Sequence, residues 1–239
     1  MRMRHILKAI IPQGTRDWLR GEIDADKHKE THINRALRRR PKATYVEIGV
    51  RDGSCFSVIE APRKIAVDPA PQGPDKWLRS GERLFGETSD EFFEKHAADV
   101  FSPGCVDVAL VDGLHEFTQA LRDVLNLERY MSPDGVIFIH DCNPPTRKHV
   151  EENNGGAWTG DVWKVACYLV RRRADLSFFT LDCDWGVGVL RNFAPTKAGH
   201  FPTTEEISAY KSLDYDVLEV NRKKELRLRP AWVSRIVRL

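Results

Sequence analysis

The chain has 239 residues, 41% of them hydrophobic and 30% charged, enough to bury one sizeable core without disulfide or metal staples. Lys and Arg number 37 against 35 Asp and Glu, a net charge of +2, which removes the general electrostatic case for a nucleic-acid binder. The basic runs Arg38, Arg39, Arg40, Lys42 and Arg171, Arg172, Arg173 read as solvated faces or helix ends. The five cysteines, Cys55, Cys105, Cys142, Cys167 and Cys183, are widely spaced with no CxxC pair, a pattern of reduced thiols in a cytoplasm. The opening MRMRHILKAIIPQG carries an apolar run that stops at Pro12, too short for a signal sequence or a membrane span. A soluble, cytoplasmic protein is expected.

Residues 1–43 are charge-rich with scattered apolar positions (Ile6, Ile10, Ile11, Trp18, Leu19) and read as an N-terminal helical extension without a functional role. At Thr44 the texture changes: TYVEIGV is a β-rich run ending in a glycine turn, as a buried central strand does. A helix over Ser54 to Glu60, a strand over Lys64 to Val67, a third strand in RLFGETS and a helix in SDEFFEKHAAD with Ser89 as N-cap follow. CVDVALVDG is a fourth strand, apolar on both faces as parallel sheets require. Glu116 to Tyr130 carries Phe117, Leu121, Val124 and Leu125 at helical spacing, SPDG is a turn, and VIFIHD is the fifth strand. Asp161 to Arg173 is helical, and LSFFTLDCDWGVGVLRNF reads as a hairpin turning around Asp182 to Trp185. Strand-helix alternation implies an α/β, doubly wound, Rossmann-like sheet with right-handed crossovers, helices on both faces and an antiparallel C-terminal hairpin. The core domain spans 44–195. Residues 196–239 are polar, carry a capping-box pattern at Thr203 and Glu206, and read as a C-terminal helical appendage.

Ligands of such sheets bind beyond the carboxyl ends of the strands. The first strand ends in Glu47-Ile48-Gly49-Val50-Arg51-Asp52-Gly53, where Gly49 permits a tight turn and Gly53 lets a helix begin close to a ligand. Asp68 ends the second strand, where a carboxylate accepts hydrogen bonds from both ribose hydroxyls. A dinucleotide pyrophosphate needs a middle glycine and avoids carboxylates, and this turn has Arg51 in the middle with Glu47 and Asp52 beside it. S-adenosylmethionine (SAM) has no phosphate and carries an ammonium and a sulfonium, so acidic neighbours suit it.

The runs VEIGVRDGS, IAVDP, VDGLH, IHDC and DWGVGVL together resemble a class I SAM-dependent methyltransferase, nearest the bacterial metal-dependent small-molecule and sugar O-methyltransferases, over residues 44–193. The resemblance implies a seven-stranded sheet with strand 7 antiparallel. It places Glu47, Gly49 and Gly53 at the methionine end of SAM, Asp68 on the ribose and Thr88 and Ser89 by the adenine. A helix-cap role for Thr88 and Ser89 is equally open.

Asp112 ends the fourth strand and Asp141 the fifth, with His115 and His140 beside them. Four ionisable groups at one crevice suit methyl transfer to a hydroxyl, which needs its proton removed or masked. Asp112 (cofactor contact or metal ligand) and Asp141 supply hard oxygens for Mg²⁺, while His115, His140 and Asp141 form the candidate catalytic set; histidine as a metal-free base is the competing version. Asp161 and Asp184 read as cap and turn residues. The stretch Asn143 to Gly160, with Trp158, has the composition of a loop over a site, and Trp158 and Trp163 are candidates for stacking on an acceptor. The expected acceptor is a small molecule or glycan, without nucleic acid or membrane span, with a homo-oligomer left open. An NAD(P)-linked oxidoreductase and a non-catalytic methyltransferase-like scaffold are the alternative functions.

Overall fold

In the computed structural model, residues 26–151, 158–194, 201–237 and 239 are described. The five apolar positions expected in the first residues, the middle of the loop after the fifth strand and the junction at 195/196 lie outside them. The sheet has eight strands in the order β3-β2-β1-β4-β5-β7-β6-β8. These are β1 Thr44–Ile48, β2 Arg63–Val67, β3 Arg83–Phe85, β4 Val106–Val111, β5 Met131–Ile139, β6 Ser177–Asp182, β7 Val187–Arg191 and β8 Leu228–Pro230. Strands β1 to β5 are parallel, and β7 runs antiparallel between β5 and β6. The expected seven-stranded sheet therefore gains one strand. β8 pairs in parallel with β6, so the C-terminal stretch, read as helical, also supplies a sheet edge. Its three residues are too few and too polar to announce a strand on their own.

Helices flank both faces: α1 Lys29–Leu37, α2 Ser54–Val58, α3 Pro74–Trp77, α4 Ser89–Lys95, α5 Ala97–Val100, α6 Phe117–Glu128, α7 Arg147–Glu151, α8 Trp163–Arg172, α9 Thr204–Lys211, α10 Asp216–Glu225 and α11 Val233–Ile236. Because β1 and β4 are largely buried and carry apolar residues on both faces, each strand feeds two cores. On one face Val46, Ile48, Val106 and Ala109 meet Phe117, Leu121, Val124 and Leu125 of α6 and Val165 and Leu169 of α8. On the other, Tyr45, Val108 and Leu110 meet Ile33 and Leu37 of α1 and Phe56 of α2. Trp163 is fully buried in the first core, so it packs and does not stack on an acceptor.

Local chemistry sets the ends. The N-cap of α4 is Thr88, one residue before the expected Ser89: its side chain accepts from the Glu91 N–H and Glu91 returns the bond, so the capping box decides the boundary. Thr203 and Glu206 form the expected box on α9. Asp161 caps at a distance, accepting the N–H of Phe117 at the start of α6. The SPDG segment falls inside β5, where the pairing register shifts between Val106 and Val108. No helix among the described residues is long and apolar enough to cross a membrane.

One buried ion pair ties α6 to the end of α8: Arg173 donates to both oxygens of Glu128 at 2.8 and 2.7 Å. Asp175, an exposed carboxylate, also accepts from Arg173 at 2.7 Å, so removing Glu128 takes away the buried partner of the guanidinium and leaves it the exposed one. Glu128→Ala is expected to cost about 3 kcal/mol, read in urea as a lower midpoint with an unchanged slope.

Candidate active site

The site lies where β1, β4 and β5 end side by side. Gly49 has a φ of 86°, and a Cβ there would stand 2.2 Å from the Asp112 carbonyl oxygen, so only glycine lets the β1 turn lie against the β4 turn. Arg51, in the middle position of the turn, takes a left-handed φ of 52°, the conformation that makes glycine common at such a position. Its N–H donates to Asp68 at 2.7 Å, and the second Asp68 oxygen accepts from Ala70 at 2.8 Å. Each carboxylate oxygen keeps a second lone pair for another donor.

Two cavities open here. The larger, about 460 Å³, is lined by Ile48, Gly49, Val67, Asp68, Thr88, Ser89, Gln119 and Asp123 among others. Thr88 and Ser89 therefore face a cavity while also working in the helix start, and Ser89 accepts from Gln119 at 3.1 Å. Asp123, at the floor, is pushed up to about 7 by burial. The second cavity, about 330 Å³, is lined by Lys29, Glu47, Cys55, His140, Asp141, Trp158 and Trp185 among others. Gly49, Arg51, Asp112 and His115 border both. Gly53 lines neither. A Cβ at that position would meet the Trp77 ring at 2.3 Å, so its glycine serves packing of α3 against α2.

The charged groups form one knot. His140 Nδ1 is 3.0 Å from Asp112 Oδ1 and 3.4 Å from Asp141 Oδ2, and its Nε2 faces Asp184 at 3.6 Å. Burial disfavours its charged form, but these carboxylates outweigh burial and raise its pKa well above the usual histidine value. Nδ1 is hydrogen-bonded to Asp112, and Nε2 lies within ion-pair reach of Asp184 without a hydrogen-bond partner among the described residues, so His140 is held between carboxylates. His115 differs. Its Nδ1 lies 2.8 Å from the carbonyl oxygen of Trp158; a carbonyl only accepts, so Nδ1 carries the proton. Its ring stacks on the Trp158 indole at 5.3 Å. Nε2 then faces Asp141 Oδ2 at 3.3 Å and Asp112 Oδ1 at 3.9 Å, a spot that calls for a positive charge. Asp141 itself is buried and holds a left-handed φ of 61°, an outlier of the sort that collects at functional sites.

Two residues of the knot were not expected. Lys29, at the start of α1 in the segment read as functionless, places its ammonium 3.5 Å from Asp112 Oδ2. Burial opposes its charge, but Asp112 and Asp184 raise its pKa above the usual lysine value. Asp184 is the turn residue that was expected, yet it also accepts the Lys29 N–H at 2.8 Å; burial works against it, and His140 and Lys29 nevertheless hold it at about 2. Nothing in the local sequence marks Lys29. Asp184 could have been found, because β7 lies beside β5 and carries the hairpin turn to the end of β5. Asn143, by contrast, turns away to Asp182 and Arg222.

Glu47 is buried and accepts from the Tyr45 hydroxyl at 2.6 Å. Burial pushes its carboxyl up to about 8, so it is largely neutral at pH 7. The crevice is therefore less acidic than the sequence suggested: Glu47 is protonated, and Lys29 and His140 offset the aspartates. Cys55 is inert, its thiol pushed up chiefly by burial.

Residues 46–142 match the family model described as a methyltransferase domain. No curated protein matches the chain. Similar solved structures include the N-methyltransferase NodS from Bradyrhizobium japonicum WM9, at 12% identity over 72% of this chain and 98% of that one with a TM-score of 0.49. Another is the MycE methyltransferase of the mycinamycin biosynthetic pathway in complex with Mg, SAH and mycinamycin VI, at 15% identity over 72% and 51% with a TM-score of 0.46. A third is the CurJ carbon methyltransferase, at 13% identity over 71% and 54% with a TM-score of 0.48.

The Glu47 carboxyl yields a pH test. Its folded pKa of about 8 lies above the ordinary 4.5, so between these values the native state holds a proton that the unfolded chain has released, and stability falls as pH rises. Glu47→Gln, which stays neutral, is expected to be more stable than the parent at pH 8, with the gap closing towards pH 4.5, measured as urea midpoints across that range.

Proposed function

We propose that this chain is a SAM-dependent methyltransferase acting on a hydroxyl of a small molecule or glycan, with His115 as general base. The observation that carries this reading is the His115 ring, which borders both cavities: its Nδ1–H is tied to the Trp158 carbonyl, and its Nε2 faces Asp141 Oδ2 at 3.3 Å. The larger cavity suits an adenosine, with Asp68 at the ribose and Thr88 and Ser89 at the base. Glu47, Gly49 and Asp112 then border the methionine end. The second cavity, walled by Trp158 and Trp185, suits the acceptor, whose ring can lie on an indole face.

SAM supplies a methyl group on a sulfonium, which passes to the acceptor oxygen as the carbon–sulfur bond breaks and its electron pair stays on sulfur. His115 Nε2 takes the hydroxyl proton. Asp141 and Asp112 stabilise the imidazolium so formed, as a carboxylate does for a catalytic histidine elsewhere. His140 holds those two carboxylates in place, and Trp158 keeps the His115 ring in one tautomer. The chain thus contributes mainly orientation, which accounts for much of the rate in a displacement from a good leaving group.

A second reading is favoured by one observation: Asp112, His115 and Asp141 each offer a ligand atom within 4.8 Å of the others. These two carboxylates and one oriented imidazole fit a divalent cation such as Mg²⁺ or Mn²⁺. Such an ion would polarise the acceptor hydroxyl, with His115 as ligand in place of base.

Calorimetry is expected to show micromolar binding of SAM or S-adenosylhomocysteine and none of NAD; binding of NAD alone would leave the oxidoreductase alternative standing. With an acceptor in hand, His115→Ala should lower kcat by about 10²–10⁴-fold, and Asp141→Ala should abolish turnover while leaving SAM binding largely intact. EDTA separates the two versions. Unchanged turnover after chelation supports His115 as base, and loss restored by Mg²⁺ or Mn²⁺ supports the metal.

A further inference from the structure

Ion pairs that hold this fold together are short. Arg173 meets Glu128 at 2.7 Å, Arg235 meets Asp26 at 2.7 Å, Arg35 meets Asp26 at 2.9 Å and Lys64 meets Glu82 at 2.9 Å, all near the optimum for charge-assisted bonds. Lys29 and Asp112 stand 3.5 Å apart with no tighter partner for the ammonium among the described residues, and both line the second cavity. The backbone of Lys29 is anchored by its N–H to Asp184, while its side chain reaches into open space beside Glu47, Gly49 and Cys55. A slack pair of opposite charges in a cavity is a receptor for a zwitterion: a ligand ammonium can take the carboxylate and a ligand carboxylate the lysine, with no change in the net charge buried.

We infer that Lys29 holds the α-carboxylate of the methyl donor, whose α-ammonium takes Asp112 Oδ2, so that the amino-acid end of the cofactor replaces the Lys29–Asp112 pair. This rests on the methyltransferase reading above. The two oxygens of Asp112 divide the work, Oδ1 facing His140 and Oδ2 facing Lys29. Glu47, largely neutral, adds no repulsion to the incoming carboxylate. Arg51 is the rival cation, bordering both cavities, but it is exposed and its charge is spent against water. The helix before the sheet therefore belongs to the cofactor site, and α1 contributes the residue that recognises the end of the ligand farthest from the adenine.

The test uses calorimetry on the full chain with three probes: S-adenosylhomocysteine, its decarboxylated analogue, and 5′-methylthioadenosine, which lacks the amino-acid end. In the parent protein the decarboxylated analogue should bind at least about tenfold more weakly than S-adenosylhomocysteine. Lys29→Met should weaken S-adenosylhomocysteine by at least about tenfold and leave the other two within about twofold, and Lys29→Arg should recover most of the loss. Equal weakening of all three probes, or of none, overturns the inference, as does a carboxylate-specific loss in Arg51→Ala in place of Lys29→Met. The parent comparison needs no variant, so misfolding of a mutant cannot hide the answer. If the parent binds none of the probes, the methyltransferase reading fails; if it binds S-adenosylhomocysteine without regard to the carboxylate or to Lys29, only the role of Lys29 fails.

Discussion

Everything at the site depends on the approach of two backbones. The Gly49 carbon lies so close to the Asp112 carbonyl that no side chain fits between them, and this contact sets the ends of β1 and β4 side by side. Because the turns touch, the two cavities share Gly49, Arg51, Asp112 and His115 as a common border. A ligand long enough to occupy the larger cavity must pass this border to reach the second. Any residue larger than glycine would separate the strand ends and move Asp112 relative to Asp141 and His115, so the packing constraint and the chemical one are the same constraint.

Around that contact the charges are arranged by burial and pairing and not by simple accumulation of acid. His140 sits among Asp112, Asp141 and Asp184, Lys29 stands on the far side of Asp112, and Glu47 is kept neutral by burial. In front of His115 Nε2 the carboxylate oxygens Asp141 Oδ2 and Asp112 Oδ1 converge, the same two oxygens that His140 Nδ1 faces from its own side. A released proton and a divalent ion are the two occupants that such a place accepts, which is why the same residues support both versions of the mechanism. The appendage after the sheet helps hold the acceptor side: Arg147 of α7 meets Asp214 at 2.7 Å, and Tyr215 and Arg222 both donate to the Pro144 carbonyl.

The succession of strands and helices and the strand ends at the crevice could be read from the residues, because they depend on local pattern. Apolar runs ending in glycine or aspartate mark β1, β4 and β5, and the first glycine turn with Asp68 after the second strand suggested the kind of ligand. What could not be read depends on distance along the chain. Lys29 reaches Asp112, and Phe117 is capped by Asp161; no local signal joins such pairs. Gly53 is a further case, a glycine in a motif position that the Trp77 ring packs against, a contact no local pattern announces. Histidines were the hardest to assign, since His115 and His140 differ only in what faces their ring nitrogens, and that is set by three strands and a hairpin turn together.

In the proposed reading, one crevice holds an adenosyl cofactor across both cavities with its sulfur facing His115. A structure of the protein with S-adenosylhomocysteine tests this most directly. The ribose is expected at Asp68, the adenine beside Thr88 and Ser89, and the sulfur above Gly49 towards His115. Density for the ligand elsewhere on the molecule, or with its sulfur turned away from the second cavity, would contradict it.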